Sequence, residues 1–249
     1  MNKCNYYINL FCDSRYDSMK VLRSLLIDND YDNLCKIAAK MPSTFKGLLS
    51  LSFLRRKSYG MLHGKGFLLA KPYEKYTGML AFIFKQNKSC LSDYIKNREE
   101  YEKSLLLGKY SYARTALNNI KNISCSIWTL EQEIKLERLQ NGLSSCTELY
   151  DRLYKESGNF YSYMAYIAYI SSSIEYSFES EVELNYKSFK TESEKDICGY
   201  VVSHSMPYFN YEYADWVQWD LRTSLLDLYE NFILSLNVLN STVVNNSVW

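Results

Sequence analysis

LLLGKYSYARTALNNI, residues 105–120, ends one helical pattern at Gly108 and opens another at Tyr110. The small residue Ala113 lies five positions after the glycine, and two larger apolar residues follow it, Leu117 and Ile120. A small residue at this place allows two paired helices to approach closely, and the larger residues fill the layer beneath it. The stretch therefore predicts the turn and the second helix of an antiparallel helical hairpin.

The same offsets recur 33 residues later in NGLSSCTELYDRL, residues 141–153. The equivalent positions there are Asn141, Leu143, Cys146, Tyr150 and Leu153. A third trace keeps the offsets with Asn29, Tyr31, Leu34, Ala38 and Met41. The period and the helix–turn–helix pattern over residues 92–174 resemble the tetratricopeptide repeat. The resemblance implies antiparallel helical hairpins stacked as a short α-solenoid, whose grooves bind other proteins.

Chain-breaking residues are rare, with nine Gly and three Pro in 249 residues, which favours long helices and an all-α fold. The periodic apolar pattern predicts helices over 16–27, 31–41, 73–86, 92–107, 126–140, 143–156 and 160–174, and, after the break at Gly108, a further helix that ends at Lys121. A helix is also expected to reopen at Ser43 or Thr44. The most regular pattern, 211–239, predicts a long C-terminal amphipathic helix that packs along the body or against a partner.

These patterns divide the chain into four regions that we expect to form one continuous unit. Residues 1–90 are a basic helical region, and 91–178 carry the helical hairpins. Residues 179–208 are a polar excursion, and 209–249 hold the C-terminal helix and tail.

Cysteine usage and the glycine-bearing segments argue against a cofactor or metal site. The seven Cys include no C-x-x-C pair and have no clustered His, which excludes a zinc-finger pattern and a disulfide framework and favours the reducing cytoplasm. The glycines of 60–66 do not have Walker A spacing, and Cys198 with His204 lacks an oxyanion-type glycine turn. No apolar run reaches membrane-spanning length. We therefore expect a cytoplasmic protein without cofactor, metal or membrane contact.

Charge is distributed unevenly along the chain. Residues 1–130 hold 21 Lys and Arg against 10 Asp and Glu, whereas residues 131–249 hold 8 against 18. One interpretation is a nucleic-acid-binding face, with Tyr59 and Tyr73 available for stacking and with basic residues Arg55, Arg56, Lys57, Lys65, Lys71, Lys75, Lys85 and Lys88. The favoured interpretation is either a solvated face or a basic half that contacts the acidic half of the same chain or of a second copy.

Arg56 and His63 provide the one catalytic alternative. Their spacing resembles the R-x4-6-H motif of the HEPN ribonucleases, although Gly60 interrupts the helix that would carry it. The resemblance implies metal-independent RNA cleavage, in which the Arg stabilises developing charge and the His transfers a proton. A nucleic-acid-binding or RNA-cleaving helical effector is therefore the alternative function.

Trp216 and Trp219 lie three positions apart on one face of the C-terminal helix, either as a recognition patch or as an anchor to the core. The preferred prediction is a non-catalytic scaffold or adaptor that binds another protein. The lack of metabolic motifs is compatible with a component of a bacterial defence or toxin/immunity system.

Overall fold

The structure is a computed structural model that describes residues 3–27, 31–41, 54–62, 73–155, 165–166, 169, 224–230 and 232–233. These residues include seven helices with defined bounds, further helical residues at 225–230 and no strand, which confirms the all-α prediction for this part of the chain. The helices are α1 (Lys3–Cys12), α2 (Ser18–Ile27), α3 (Tyr31–Lys40), α4 (Tyr73–Gln86), α5 (Lys88–Leu106), α6 (Tyr110–Ile123) and α7 (Ile127–Lys155). A 3-10 turn spans Tyr59–Met61. The sequence pattern places the ends of α2, α3 and α4 within two residues of these bounds.

Helix α1 is absent from the sequence prediction because Asn5 and Asn9 interrupt its apolar run. Its buried residues nevertheless lie three and four positions apart, at Cys4, Tyr7 and Phe11. They join a core that α2, α3, α4 and the start of α5 also line, and that includes fully buried Leu22, Leu34, Ile37, Phe82 and Tyr94. The apolar stripe of α1 is therefore helical in period, as expected for a helix that buries one face.

Helices α5 and α6 form the hairpin that the opening stretch predicts. At the end of α5 the Lys109 amide donates to the carbonyl of Ser104 at 2.8 Å, and the Gly108 amide donates to that of Leu105 at 3.1 Å. These two bonds make a Schellman motif, and Gly108 adopts the required left-handed conformation at φ 66°. Ala113 is fully buried in a cluster with Tyr101 of α5 and Leu136 of α7. The small residue thus lies where three helices meet.

Helix α7 reverses direction at Gly142, whose backbone is non-helical with φ 86° and ψ −177°. The Ser145 hydroxyl donates to Oε1 of Glu137 at 2.6 Å, and Sγ of Cys146 lies 3.7 Å from the carbonyl oxygen of Ile134. Residues twelve apart in a straight helix would be separated by about 18 Å. The second half of α7 (143–155) therefore folds back along the first half (127–141), as the break between 140 and 143 predicts.

Gly142→Ala is expected to lower the free energy of unfolding by about 1–3 kcal/mol, because only glycine adopts this backbone conformation without strain. A Cβ at this position would meet no atom within 4 Å, so a packing clash makes no contribution. Gly60→Ala is the matched control, since a Cβ there also meets nothing within 4 Å and its φ lies outside the left-handed range. Urea unfolding of both variants measures the difference, and equal stability of the two would contradict the assignment of strain to Gly142.

A C-terminal segment, residues 224–230 and 232–233, returns to the N-terminal core. Leu225, Leu226 and Leu228 are buried in that core, and the ring of Phe84 lies 5.5 Å from Tyr229 and 5.3 Å from Phe232 between centroids. This part of the predicted C-terminal helix packs against the body of the same chain. The rest of 211–239, including Trp216 and Trp219, lies outside the described residues.

The predicted helix 160–174 is described only at Ala165, Tyr166 and Tyr169. The Tyr169 ring stacks on Tyr150 with centroids 4.9 Å apart, and its hydroxyl is 3.3 Å from that of Thr147. Tyr150 belongs to the second half of α7, so Tyr169 packs against that half of the helix.

Candidate functional site

The basic run Arg55, Arg56 and Lys57 is attached to the helical body. Arg55 Nη1 donates to Sγ of Cys90 at 3.4 Å, and Lys57 Nζ donates to the carbonyl of Asn122 at 3.1 Å, at the C-terminal end of α6. A cation is favoured there by the helix dipole. The backbone of Arg56 pairs with the link between α6 and α7, accepting from the Cys125 amide at 2.8 Å. This run therefore fastens residues 54–62 to α5 and α6.

Arg56 itself is only 7% exposed and is balanced by the fully buried Asp227. Burial lowers the pKa of Arg56, and the negative charge of Asp227 acts in the opposite direction. Asp227 also accepts from the Ile127 amide at 2.9 Å, at the start of α7, and from the Ser224 hydroxyl at 2.9 Å. The expectation of Arg56 on an open RNA-binding face therefore needs correction, because its guanidinium is enclosed and balanced within the chain.

Three ion pairs join a cation from residues 1–130 to a carboxylate from residues 131–249. Arg98 pairs with Glu230, Arg114 Nη2 lies 2.7 Å from Glu137, and Lys121 Nζ lies 2.6 Å from Glu133. Together with Arg56 and Asp227, these pairs agree with the interpretation that the basic half contacts the acidic half of the same chain. The side chains involved are all partly buried, so their pairing offsets a desolvation cost.

Tyr59, Lys121 and Glu133 form a polar cluster beside Cys125. The Tyr59 hydroxyl and Lys121 Nζ each donate to Oε2 of Glu133 at 2.6 Å, and Lys121 lies 5.0 Å from the centre of the Tyr59 ring. Burial raises the pKa of Tyr59 well above its ordinary value and raises the pKa of Cys125 to about 11. The Cys125 thiol is therefore protonated near neutral pH and is a poor nucleophile. The cluster is therefore a structural joint between residues 54–62, α6 and α7.

An apolar surface lies at the opposite end of the hairpin from this joint. We call it the apolar end and define it by five exposed residues, Leu106, Leu107, Tyr112, Leu139 and Leu143. Leu106 is 88% exposed and Tyr112 is 66% exposed, which are high values for large apolar side chains. Contiguous exposed apolar surface on a folded protein marks an interaction site more often than isolated exposed residues do.

Two contacts place these residues at the same end. Leu106, Leu107 and Tyr112 flank the tight turn at Gly108 between α5 and α6. Arg114, one turn into α6, donates to Glu137 at 2.7 Å and to Gln140 at 2.9 Å in α7. This brings the reversal at Gly142, and with it Leu139 and Leu143, beside the Gly108 turn.

The charged groups around the apolar end are basic. Lys103 lies one turn before Leu106 and Leu107 on α5, and Lys109 lies in the turn; both are exposed. Arg138 precedes Leu139 and is partly buried. We call these three residues the basic rim. No acidic partner contacts their side chains within the described part of the chain.

Of the other basic residues predicted as a binding face, the structure describes Lys85, Lys88 and the backbone of Lys75. Lys85 and Lys88 are exposed near the α4–α5 junction, and Lys75 lies in α4 without a described side chain. His63, Lys65, Lys71, Trp216 and Trp219 lie outside the described residues. The apolar end was not predicted from the sequence, because Leu106 and Leu107 continue the apolar pattern of α5 and Leu139 and Leu143 belong to the two halves of α7. The run of three leucines directly before Gly108 is the signal that could have identified it.

The described residues contain no group of three or more His, Cys, Asp and Glu side chains that could hold a metal ion. Among the same residues, none of the helices combines the length and the apolar character that a bilayer crossing requires. Comparisons of this chain with protein-family models, curated proteins and solved structures give no match.

Proposed function

We propose that this protein is a non-catalytic helical scaffold that binds another protein through its apolar end. The observation that carries the proposal is the exposure of Leu106, Leu107 and Tyr112 beside Leu139 and Leu143 at one end of the packed helices. Leucine and tyrosine side chains of this kind supply most of their binding free energy when a partner removes them from water.

The size of the apolar end suits an interaction surface. Its five side chains expose on the order of 500 Å² of apolar area, comparable to the largest patch on a typical monomer. At about 25 cal/mol per Å², burying that area contributes roughly 12 kcal/mol before the cost of association. Loss of translational and rotational freedom offsets much of this gain. A partner of moderate affinity is the expected outcome.

The hairpins provide a preformed support for this surface. The Schellman turn at Gly108, the Arg114 bonds to α7 and the buried Ala113 hold the three helices before any partner arrives. Binding to a preformed surface orders little of the scaffold and so costs little entropy. This is the behaviour that the resemblance to tetratricopeptide repeats implies, and the stacked solenoid and the bacterial defence or toxin/immunity role remain part of the proposal.

The proposal predicts that Leu106→Ser, Leu107→Ser and Tyr112→Ser together abolish capture of the partner. The full-length tagged protein is incubated with native lysate, with and without nuclease, and retained proteins are identified by mass spectrometry. We expect a protein retained in the presence of nuclease, with at least a tenfold loss in the triple variant, equivalent to about 1.4 kcal/mol or more. Circular dichroism should show unchanged helix content, because all three side chains are exposed.

The matched control replaces three exposed apolar residues elsewhere, Tyr16, Met61 and Ile95, with Ser. It removes a similar apolar chemistry without touching the apolar end, so capture should match the wild type. Equal loss in both triple variants would exclude the apolar end as the site. Retention that disappears on nuclease treatment would instead favour the nucleic-acid alternative.

A further inference from the structure

We infer that the segment recognised by the apolar end is acidic as well as apolar: a partner stretch that places Asp or Glu beside large apolar side chains. The inference rests on the proposed function and specifies the chemistry of its partner. The basic rim, Lys103, Lys109 and Arg138, carries it.

Lys103 and Lys109 are positioned to contact anything that covers the leucines. Lys103 lies three and four positions before Leu106 and Leu107, so it projects on the same face of α5. Lys109 lies in the turn between the leucines and Tyr112. Both ammonium groups are exposed, and they are not engaged by a carboxylate among the described residues.

Arg138 adds an independent observation. Its Nη1 atom is buried and has no hydrogen-bond partner among the described residues. An unsatisfied buried donor costs about 1–3 kcal/mol, more when it is charged. Arg138 lies one turn before Gly142 in α7, so a partner carboxylate that reached this atom would supply the missing acceptor.

Of the carboxylates near the basic rim, Glu102 and Glu137 are paired, whereas Glu99 and Glu100 are exposed one turn before Lys103 on α5. Glu137 accepts from Arg114 at 2.7 Å, and Glu102 pairs with Arg98 at 2.8 Å. Hydrogen bonds from Ser145, Asn141 and Arg114 hold the pKa of Glu137 below its usual value despite partial burial. Lys103 and Lys109 are exposed at the turn and have no carboxylate partner among the described residues, so they complement a negative partner.

The same charges disfavour a second copy of this chain as the occupant. Two copies that met through their apolar ends would bring their basic rims together. Like charges placed face to face across an interface cost several kcal/mol. An acidic, apolar segment of a different protein gains binding free energy from contact with the leucines and from charge pairing with the lysines.

Two labelled peptides of about 15 residues, long enough to form an amphipathic helix, test the inference. They share Leu at helical spacing and differ only in having Glu or Lys at the flanking positions. Fluorescence anisotropy with the full-length protein should show at least tenfold tighter binding of the Glu peptide. The preference should decrease as salt rises from about 50 to about 500 mM, because exposed charges are screened.

Lys103→Glu with Lys109→Glu should reverse the preference, so that the Lys peptide becomes the tighter ligand. The matched control reverses two exposed lysines near the α4–α5 junction, Lys85→Glu with Lys88→Glu, and should leave the preference unchanged. Equal affinity for the two peptides, tighter binding of the Lys peptide, or failure of both to bind would overturn the inference. So would a wild-type dimer in light scattering that dissociates on Leu106→Ser, because the occupant would then be a second copy.

These outcomes are separable from those of the proposed function. If capture of the lysate partner requires Leu106, Leu107 and Tyr112 but the Glu peptide is not preferred, the inference of an acidic partner segment is wrong and the proposed scaffold function stands. If capture is indifferent to those three residues, the proposed function at the apolar end fails whatever the peptides show.

Discussion

Asp227→Ala is expected to lower the free energy of unfolding by about 3–5 kcal/mol. The fully buried carboxylate of Asp227 balances Arg56, which is 7% exposed. It also accepts from the Ile127 amide at 2.9 Å and from the Ser224 hydroxyl at 2.9 Å. Its removal leaves an enclosed guanidinium without its counter-charge and two buried donors without an acceptor. An arginine stays charged under these conditions, so it cannot escape the cost by losing a proton.

Urea unfolding followed by circular dichroism measures this change. The matched control is Asp93→Ala, an exposed aspartate on α5, which should change stability by about 0.5 kcal/mol or less. Replacing both charges, as Arg56→Met with Asp227→Leu, should recover part of the loss, because no buried guanidinium then lacks a counter-charge, whereas the Ile127 amide and the Ser224 hydroxyl still lack their acceptor. A cost for Asp227→Ala no larger than that of the control would contradict the assigned pairing.

Tyr94→Ala is expected to cost about 3–5 kcal/mol, as truncation of a large buried aromatic does. The Tyr94 ring is fully buried, and its centroid lies 6.0 Å from that of Trp128 and 6.2 Å from that of Tyr229, both edge-on. Its hydroxyl donates to Glu230 at 2.7 Å. One side chain thus joins α5, α7 and the C-terminal segment, and its truncation leaves a cavity at their junction.

Tyr112→Ala is the matched control for this prediction, because the same residue type is 66% exposed on α6. Its cost should stay near 0.5 kcal/mol. Tyr94→Phe should fall between the two, at roughly 1–3 kcal/mol, since it removes only the hydroxyl, which donates to Glu230 and accepts from Arg98. Thermal or urea unfolding of the three variants gives the ranking. If Tyr94→Ala and Tyr112→Ala were equally stable, the C-terminal segment could not be packed against α5 as described.

These stability variants and the binding variants affect different parts of the molecule. Tyr94 and Asp227 hold helices together, whereas Leu106, Leu107 and Tyr112 are exposed and leave the core intact. Tyr112 is informative in both experiments, since its truncation should leave stability nearly unchanged while contributing to loss of the partner. A scaffold whose binding surface lies outside its core permits this separation.

Several features of the fold follow from local signals in the sequence. Gly108 and the break at 141–142 end helices where a positive φ is required, and Ala113 and Cys146 at the matching offset are both fully buried. Helix bounds and these packing positions depend on residues within a few turns of each other, so periodicity and chain breaks are sufficient to predict them. The α1 helix was missed because two asparagines obscure an apolar stripe of only three residues.

Tertiary contacts determine which charged and apolar side chains are buried and which are exposed. Arg56 belongs to a basic run that resembles an open binding face, yet the folded chain brings Ser124 and Asp227 to it from distant positions. Leu106 and Leu107 continue the apolar pattern of α5, yet no later helix covers them where the described chain turns at Gly108. Helical periodicity depends on residues that are close in sequence, so it can be predicted from the sequence alone. Burial and charge pairing depend on which distant segments meet, so the enclosed arginine and the exposed leucines emerge only when the helices have packed.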